Sequence, residues 1–397
     1  MPWRTVGPMR SKIRFINDYQ RGIFTMADLC QRHGISRKTG YKWINRFEEA
    51  DSFEDLDDRS RRPHSSPTQI DEGIVEAILN LRDKRRSWGP KKLLILLQKQ
   101  HPEWTMPARS TVALILKRSG LVKQNRSRPK HPHPQRPFGE INAPNDTWCI
   151  DFKGKFKTRD GPYCYPLTVT DDFTRFLLGC QSMLAPAGQP TKTVLTRFFR
   201  EFGMPVGIRS DNGTPFAAYT LGRLSKLSIW WIKLGIHPEL IDLGAPQQNA
   251  RHERMHRTLK EEATIPPAGP ISAQQRRFNT FRKDFNQERP HEGIDMKTPA
   301  ELYSPSQRQM PQKPAAIEYP AHYEVRRVSK NGGIRWRSAW VNVGHVLAEE
   351  YVGLEEIDDG IWDVFFSSVW LGIFEERVNK IQDAQGKWER RPNYRNL

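Results

Sequence analysis

Apolar residues recur every three or four positions through the first third of the chain, a spacing that predicts helices. Within residues 68–123 it predicts three of them, over 74–81, 93–97 and 112–121. Downstream, a proline-rich basic stretch over 126–144 predicts an extended linker rather than regular structure. We therefore interpret residues 63–125 as a helical, winged-helix-like domain that ends at this linker.

Residues 26–47 have the pattern of two helices joined by a tight turn. Gly34 can end the first helix in a left-handed conformation, and Ser36 can cap the second. These features predict a helix-turn-helix domain over 1–62, although Gly40 inside the second helix is disfavoured by about 1 kcal/mol relative to alanine. The residues that we expect to face a DNA major groove are Arg37, Lys38, Thr39, Lys42 and Arg46.

Short apolar runs replace the helical period after residue 145. Strands over 148–152, 165–170 and 176–181 precede a helix over 193–202 and a short strand over 207–211. Mixed strands and helices of this kind predict an α/β domain with a central sheet over 145–306.

Beyond a second linker over 307–320 the chain becomes β-rich. Apolar runs there predict four strands, over 323–328, 334–343, 361–366 and 369–374. We expect a small antiparallel β barrel or sandwich over 321–383, so that the whole chain is multidomain: all-α at the N-terminus, α/β in the centre and β at the C-terminus.

The charge balance limits the kinds of partner that the protein is expected to bind. The 397 residues include 63 Lys and Arg against 45 Asp and Glu, a formal net charge of +18, which favours a polyanionic partner, most simply nucleic acid. No apolar run approaches the roughly 20 residues of a membrane helix, and the four cysteines include no Cys-x-x-Cys pair. We expect an intracellular, DNA-associated protein with no membrane partner. Within the first linker, the residues expected to follow DNA phosphates are Arg126, Arg128 and Lys130.

Three acidic residues from separate segments are the candidate catalytic set. Asp151 lies in the middle of a predicted strand, where a carboxylate among apolar neighbours is costly unless a cation compensates for its burial. Asp211 ends a short strand before an Asn-Gly turn, and Glu253 lies on a predicted helix. Two-metal phosphoryl transfer requires carboxylates that converge on two Mg²⁺ ions about 3.5–4 Å apart. On the same helix face as Glu253, Arg257 and Lys260 can meet phosphate.

These segments resemble the catalytic core shared by bacterial insertion-sequence transposases and retroviral integrases, the DDE transposase superfamily. The matching segments run in the family's order over about 160 residues. They are Trp148-Cys-Ile-Asp-Phe-Lys-Gly, Val169-Thr-Asp-Asp-Phe-Thr-Arg, Arg209-Ser-Asp-Asn-Gly, Pro246-Gln-Gln-Asn, Glu253-Arg-Met-His-Arg-Thr-Leu-Lys and Asn286-Gln-Glu-Arg-Pro-His. The helical regions upstream resemble the DNA-binding module of the same transposases.

The resemblance implies an RNase H-like core in which Asp151, Asp211 and Glu253 are catalytic and bind metal. It implies two Mg²⁺ ions, with Mn²⁺ expected to substitute; Asp151 would contact both ions, and the other two carboxylates one each. The implied function is a DNA transposase that binds the terminal inverted repeats of a mobile element and catalyses DNA cleavage and strand transfer. Its implied setting is the bacterial cytoplasm, on double-stranded DNA, as a homo-oligomer of at least two copies.

Two other functions are compatible with parts of the sequence. His252-Glu253-x-x-His256 has the form of a zinc metalloprotease motif, in which the histidines bind zinc and the glutamate is the base. Because Glu253 already belongs to the transposase pattern, we expect the two histidines to lie at the surface or beside phosphate instead. A non-catalytic DNA-binding regulator is the other alternative, and the presence of all three carboxylates favours the enzyme.

Two further carboxylates compete with Asp151 as metal ligands. Asp171 and Asp172 lie at the turn between two predicted strands, close to Arg175. Aspartate in such a turn more often caps the backbone and forms an ion pair. We therefore expect these two residues to be structural.

Overall fold

The computed structural model describes residues 7–50, 56, 58, 70–122, 140–242, 245–383 and 386. The chain divides into two compact units, residues 1–70 and 71–397, which are described separately below. Within the described parts, no helix has the length and apolar character needed to cross a bilayer. The basic stretch with Arg126, Arg128 and Lys130 lies outside the described residues.

The first unit is a three-helix domain that contains the predicted helix-turn-helix. Its helices are α1 (Pro8–Gln20), α2 (Met26–Arg32) and α3 (Arg37–Ala50). Gly34 has a φ of 64°, and the Ser36 hydroxyl accepts a 3.2 Å hydrogen bond from the Thr39 amide, so both turn signals act as predicted. The small core consists of Phe15, Ile16, Leu29, Cys30, Trp43, Ile44 and Leu56.

Gly40 lies where α3 crosses close to its neighbours. A Cβ atom at this position would come within 2.7 Å of both Cys30 Sγ and Met26 Cε, and within 3.0 Å of Phe15 Cζ. The glycine therefore permits close packing of the helices, which offsets its low helix propensity.

The second unit begins with three helices, α4 (Glu72–Lys84), α5 (Pro90–Gln100) and α6 (Arg109–Arg118). All three predicted helices are confirmed. They enclose a core of Ile78, Trp88, Leu93, Leu97, Val112 and Leu116. Residues 70–122 contain no strand, and the chain that follows, where the hairpin of a winged helix would come, lies outside the described residues, so the winged-helix-like description stays a prediction.

A mixed sheet forms the centre of this unit. Its strands are β1 (Thr147–Phe152), β2 (Phe156–Lys157), β3 (Tyr163–Asp171), β4 (Leu177–Met183), β5 (Gly207–Ser210) and β6 (His237–Leu240). The order across the sheet is β4-β3-β1-β5-β6, and β2 pairs with the start of β3. β1 pairs antiparallel with β3 and parallel with β5, and β5 pairs parallel with β6. The predicted α/β domain is confirmed, whereas β2 and β6 were too short or too polar to predict.

Helices cover both faces of the central sheet. α7 (Gly188–Phe202) and α8 (Lys226–Lys233) pack on one face through Leu195, Phe198, Phe199 and the Trp230-Trp231 pair. α9 (Ala250–Leu259) and α10 (Ile271–Gln287) pack on the other face through Met255, Leu259, Phe278, Phe281 and Phe285. A π-helical turn over Lys260–Thr264 follows α9 directly, and α11 (Pro299–Leu302) completes the domain.

The C-terminal region is β-rich, as predicted, but it is not a barrel. Its strands are β7 (Glu324–Arg327), β8 (Gly333–Trp336), β9 (Ala339–Asn342), β10 (Tyr351–Asp358), β11 (Ile361–Phe366), β12 (Val369–Glu375) and β13 (Lys380–Gln382). Five of them form an open antiparallel sheet in the order β13-β12-β11-β10-β7, beside the separate β8-β9 hairpin. The two edge strands do not pair with each other, so the sheet stays open. The predicted strand over 334–343 is this hairpin, because the chain turns at Arg337 with a φ of 49°.

One hydrophobic core joins the C-terminal sheet to the central domain. Ile229 and Ile232 of α8 pack with β-sheet residues that include Val352, Leu354 and Val364. Trp230 and Trp231 of the same helix pack in the core of the central sheet. α8 is therefore buried on two sides.

Candidate active site

The sheet topology places Asp151 and Asp211 on neighbouring strands. β1 and β5 are parallel, and their register pairs Ile150 with Ser210. Asp151 follows Ile150 and Asp211 follows Ser210, so both aspartates lie at the carboxyl ends of adjacent parallel strands. The sequence separates them by a long stretch, and the sheet brings them together.

The third candidate, Glu253, comes from α9 and acts electrostatically on Asp151. It lies in the first turn of the helix and is exposed, while Met255 and Leu259 bury the opposite side against the sheet. Burial raises the pKa of Asp151 to about 7, and the negative charges of Asp211 and Glu253 add to that increase. Asp211 and Glu253 therefore lie within electrostatic range of Asp151. Among the described residues, the three carboxylates do not form a group whose ligand atoms all lie within 4.8 Å of one another.

The electrostatics of this cluster suit a divalent cation. Three carboxylates repel one another when they are ionised, and Asp151 is mostly buried. Their oxygen atoms are the ligands that Mg²⁺ and Mn²⁺ prefer, and a bound cation would relieve both the burial and the repulsion. The residues present therefore fit the metal that the sequence implies.

His252 and His256 lie on the buried face of α9, so the expectation that they lie at the surface is wrong. The reason is their spacing, since they share a helix face with Met255 and Leu259 and so point to the sheet. Burial lowers the pKa of His252 to about 3 and also lowers that of His256, which leaves both rings neutral.

Two threonines of β3 hold these rings. The Thr168 hydroxyl donates to the Asp151 carbonyl oxygen at 3.1 Å, and its oxygen therefore accepts from Nε2 of His252 and Nε2 of His256, each at 2.7 Å. The Thr170 hydroxyl donates to Nδ1 of His252 at 2.9 Å. This network ties α9 to the strand next to β1.

The same rings bear on the metalloprotease alternative. Asp151, His252 and His256 offer ligand atoms within 4.8 Å of one another. However, three of the four ring nitrogens are already engaged by Thr168 and Thr170, and only Nδ1 of His256 faces Asp151, at 3.6 Å from Oδ2. Zinc would have to break this network, so the geometry favours a structural role for the histidines.

Asp171 and Asp172 occupy buried structural positions. Asp171 accepts hydrogen bonds from the Thr174 amide and hydroxyl, at 2.8 and 2.6 Å, and from the Asn145 amide at 2.7 Å. Asp172 forms ion pairs with three arginines, Arg175, Arg209 and Arg251. Burial alone would raise the pKa of Asp172, but these arginines bring it below its usual value. Sequence reasoning identified the turn and Arg175, and missed the other two arginines.

The residues expected to contact DNA differ in exposure. Arg257 and Lys260 are exposed, the latter at the start of the π turn. In the first unit Arg37, Lys38 and Lys42 are exposed along α3, while Thr39 and Arg46 are half-buried. Lys42 and Arg46 lie over the Trp43 ring, 4.8 and 5.0 Å from its centroid. The structure thus leaves a basic surface on α3.

Family models match most of the described chain. Residues 141–246 and 234–299 match models described as integrase core domain. Residues 11–64 match a helix-turn-helix domain and residues 39–116 a homeodomain-like domain. The integrase core matches cover the sheet and α9, where the three carboxylates lie.

The similar proteins include products of bacterial insertion elements. One is the IS407 uncharacterized 31.7 kDa protein of Burkholderia multivorans, 26% identical over 262 residues, which are 64% of this chain and 88% of the relative. Another is the IS476 uncharacterized 39.2 kDa protein of Xanthomonas euvesicatoria, 28% identical over 59% of this chain and 66% of the relative. The Gag-Pol polyprotein of baboon endogenous virus is 30% identical over 44% of this chain but only 10% of its own length.

Among solved structures, the HTLV-2 integrase catalytic core domain in complex with magnesium is 16% identical. The match covers 40% of this chain and 97% of that domain, with a TM-score of 0.32.

Proposed function

Because the chain belongs to the insertion-sequence transposases that carry an integrase-like core, we propose that it is a DNA transposase. It binds the terminal inverted repeats of its own element and catalyses divalent-metal-dependent DNA cleavage and strand transfer. The proposal is supported by the parallel register of β1 and β5, which puts Asp151 and Asp211 at the ends of adjacent strands, and by the contribution of Asp211 and Glu253 to the raised pKa of Asp151.

The three carboxylates would hold two Mg²⁺ ions. When bound, such ions activate a water molecule or a 3′-hydroxyl for in-line attack on a phosphodiester and stabilise the oxygen that leaves. Asp151 keeps its position because Thr168 accepts from the two histidines and donates to the Asp151 backbone. Arg257 and Lys260, one and two turns beyond Glu253, bind the phosphates of the DNA end.

DNA recognition is divided among three segments in this proposal. α3 of the first unit reads the terminal repeat in the major groove, and the helical segment with α4, α5 and α6 assists it. The basic stretch with Arg126, Arg128 and Lys130 adds sequence-independent affinity for phosphates. Because two ends must be joined, at least two copies assemble on DNA.

A strand-transfer assay tests the proposal. Wild-type protein, labelled element ends and a target plasmid are incubated with Mg²⁺, with Mn²⁺ or with EDTA. We expect joined products with either metal and none with EDTA. Asp211→Asn and Glu253→Gln should each reduce product by at least about 100-fold, since each removes a metal ligand.

A matched control separates catalysis from folding. Glu261→Gln removes an exposed carboxylate from the π turn next to α9 and should leave activity within about twofold of wild type. Wild-type protein that binds its ends but yields no more product than Asp211→Asn would contradict the enzyme and favour a DNA-binding regulator.

A further inference from the structure

A basic cavity lies along α9, on a flank of the helix next to the one that carries Glu253. It has a volume of about 600 Å³ and is enclosed by α5, by α9, by the C-terminal end of α10 and by the turn after β3. Its lining includes seven Lys or Arg side chains and three carboxylates, so cationic groups predominate. Asp151, Asp211 and Glu253 are not among the lining residues.

Part of this positive charge is neutralised within the protein. Asp172 forms ion pairs with Arg175, Arg209 and Arg251. Arg289 is buried, pairs with Glu262 at 2.7 Å and lies over the Trp88 ring. These contacts fix the wall of the cavity and hold the helical segment of residues 71–122 against α10.

Other cations of the cavity have no such partner. Among the described residues, no carboxylate forms an ion pair with Arg254 or Arg257, both of which are exposed on α9. Lys92 of α5 is largely buried, and this burial lowers its pKa to about 8; Arg289 and Arg254 lower it further, and the more distant charges of Glu262 and Glu292 only partly oppose them. A buried ammonium group next to two arginines gains stability when an anion enters.

Helix geometry links this cavity to the catalytic carboxylates. With 3.6 residues per turn, Arg254 lies about 100° around α9 from Glu253, while Arg257 lies about 40° from Glu253 on the side toward Arg254. Arg257 therefore borders both the cavity and the surface that carries Glu253. A strand whose phosphates are held by Arg254 and Lys92 would pass directly beside the active site.

We infer that this cavity binds phosphate groups of DNA, with Lys92 and Arg254 as its ligands and Arg257 shared with the active site. The inference rests on the proposed function, since it assigns a further contact to the DNA that the enzyme cuts. It also gives the helical segment of residues 71–122 a role in positioning DNA at the active site, because Lys92 reaches the cavity from α5.

Salt-dependent DNA binding tests the inference without any catalytic step. Fluorescent duplex DNA is titrated with full-length protein in EDTA at several salt concentrations, for wild type, for Lys92→Ala/Arg254→Ala and for Arg276→Ala/Lys283→Ala. The last variant removes the same charge from exposed positions of α10 outside the cavity. Each phosphate contact contributes a slope of about 0.9 to the plot of log K against log salt.

We expect the cavity variant to bind DNA at least about tenfold more weakly than the α10 control at low salt, with a slope smaller by one to two contacts. The single variant Arg254→Glu, at an exposed site that should not disturb folding, should have a similar or larger effect. Thermal unfolding of each variant verifies that the protein remains folded.

Three other outcomes would contradict the inference or the proposed function. A cavity variant with the same slope and affinity as the α10 control would overturn the inference and leave the transposase proposal intact. Binding of tripolyphosphate that the cavity variant loses, with unchanged DNA affinity, would overturn the assignment to DNA in favour of a small polyphosphate. Wild-type protein that does not bind duplex DNA at all would contradict the proposed function itself.

Discussion

Nδ1 of His256 lies 3.6 Å from Oδ2 of Asp151, and neither atom holds a proton when the carboxyl group is ionised. His256 is buried and neutral, and it donates through Nε2 to Thr168. Two lone pairs thus face each other beside Asp211 and Glu253. Either a proton on Asp151 or a nearby cation relieves this contact, so protons and divalent metal compete for the same place.

Magnesium binding should therefore depend on pH. The pKa of Asp151 is about 7, so at pH 6 most molecules must lose a proton to bind metal, and at pH 8 few must do so. We expect affinity for Mg²⁺ to be about tenfold lower at pH 6 than at pH 8, measured by calorimetry. Asp211→Asn removes a charge that raises this pKa, so its weaker binding should vary less over the same interval. Equal wild-type affinity at both pH values would contradict the raised pKa.

The same pKa has an effect on the stability of the metal-free protein. The folded-state pKa of Asp151 lies above that of about 3.9 in the unfolded chain, so the folded state binds more protons between the two values. The contribution of Asp151 is then fully present below about pH 4 and is lost as the pH rises through about 7. Urea unfolding in EDTA should show Asp151→Asn gaining stability relative to wild type as the pH increases over that range.

Replacement of Thr168 should loosen α9. Thr168→Val removes the oxygen that accepts from His252 and His256 and leaves two buried N–H groups without a partner. We expect a loss of about 1–3 kcal/mol in the free energy of unfolding, measured in urea, together with reduced strand transfer. Thr193→Val is the control, since Thr193 is an exposed residue of α7 whose hydroxyl donates to the Gln189 carbonyl of the same helix. Equal effects of the two substitutions would argue against the network.

The helical segment of residues 71–122 should be coupled to the core through Arg85. Its guanidinium forms ion pairs with Asp284 and Glu288 of the α10 region, and the Arg85 and Asp284 side chains are about three-quarters buried. A double-mutant cycle of Arg85→Ala and Asp284→Ala should give a coupling energy of about 1–2 kcal/mol. The exposed pair Arg86–Asp83 should give no more than about 0.5 kcal/mol. A coupling energy no larger than that of the exposed pair would mean that the Arg85 contact does not hold the segment.

The basic surface of α3 should account for recognition of the element ends. Arg37→Ala/Lys42→Ala should weaken binding to the terminal repeat by about 1–3 kcal/mol and reduce its preference over random duplex DNA, as measured by competition. Arg10→Ala removes an exposed cation from α1 of the same domain and should leave that preference unchanged. Loss of preference in both variants would indicate a general charge effect instead.

Local patterns predicted most of the helices and suggested the three candidate carboxylates. Asp151 was identifiable because an acidic residue interrupts an apolar strand, and Gly34 and Ser36 marked the turn between α2 and α3 because their backbone requirements are local. The burial of His252 and His256 also follows from a local pattern, since each histidine lies three positions before an apolar residue, Met255 or Leu259, whereas the protease-like motif points to their chemistry and not to the helix face that they occupy.

The remaining features depend on contacts between distant segments. Lys92 and Arg254 line one cavity only because the helical segment of residues 71–122 packs against the central domain, and no local pattern encodes that packing. Whether strands close into a barrel depends on the pairing of β7 with β13, and short edge strands carry no sequence signal for their partners. The arginines around Asp172 come from three separate segments for the same reason.

Because α8 contributes Trp230 and Trp231 to one core and Ile229 and Ile232 to another, the chain cannot be shortened to its central domain without exposing apolar surface. A variant truncated near residue 320 would expose the apolar side of α8 to water and should aggregate. The C-terminal sheet is therefore needed to keep this side of α8 buried.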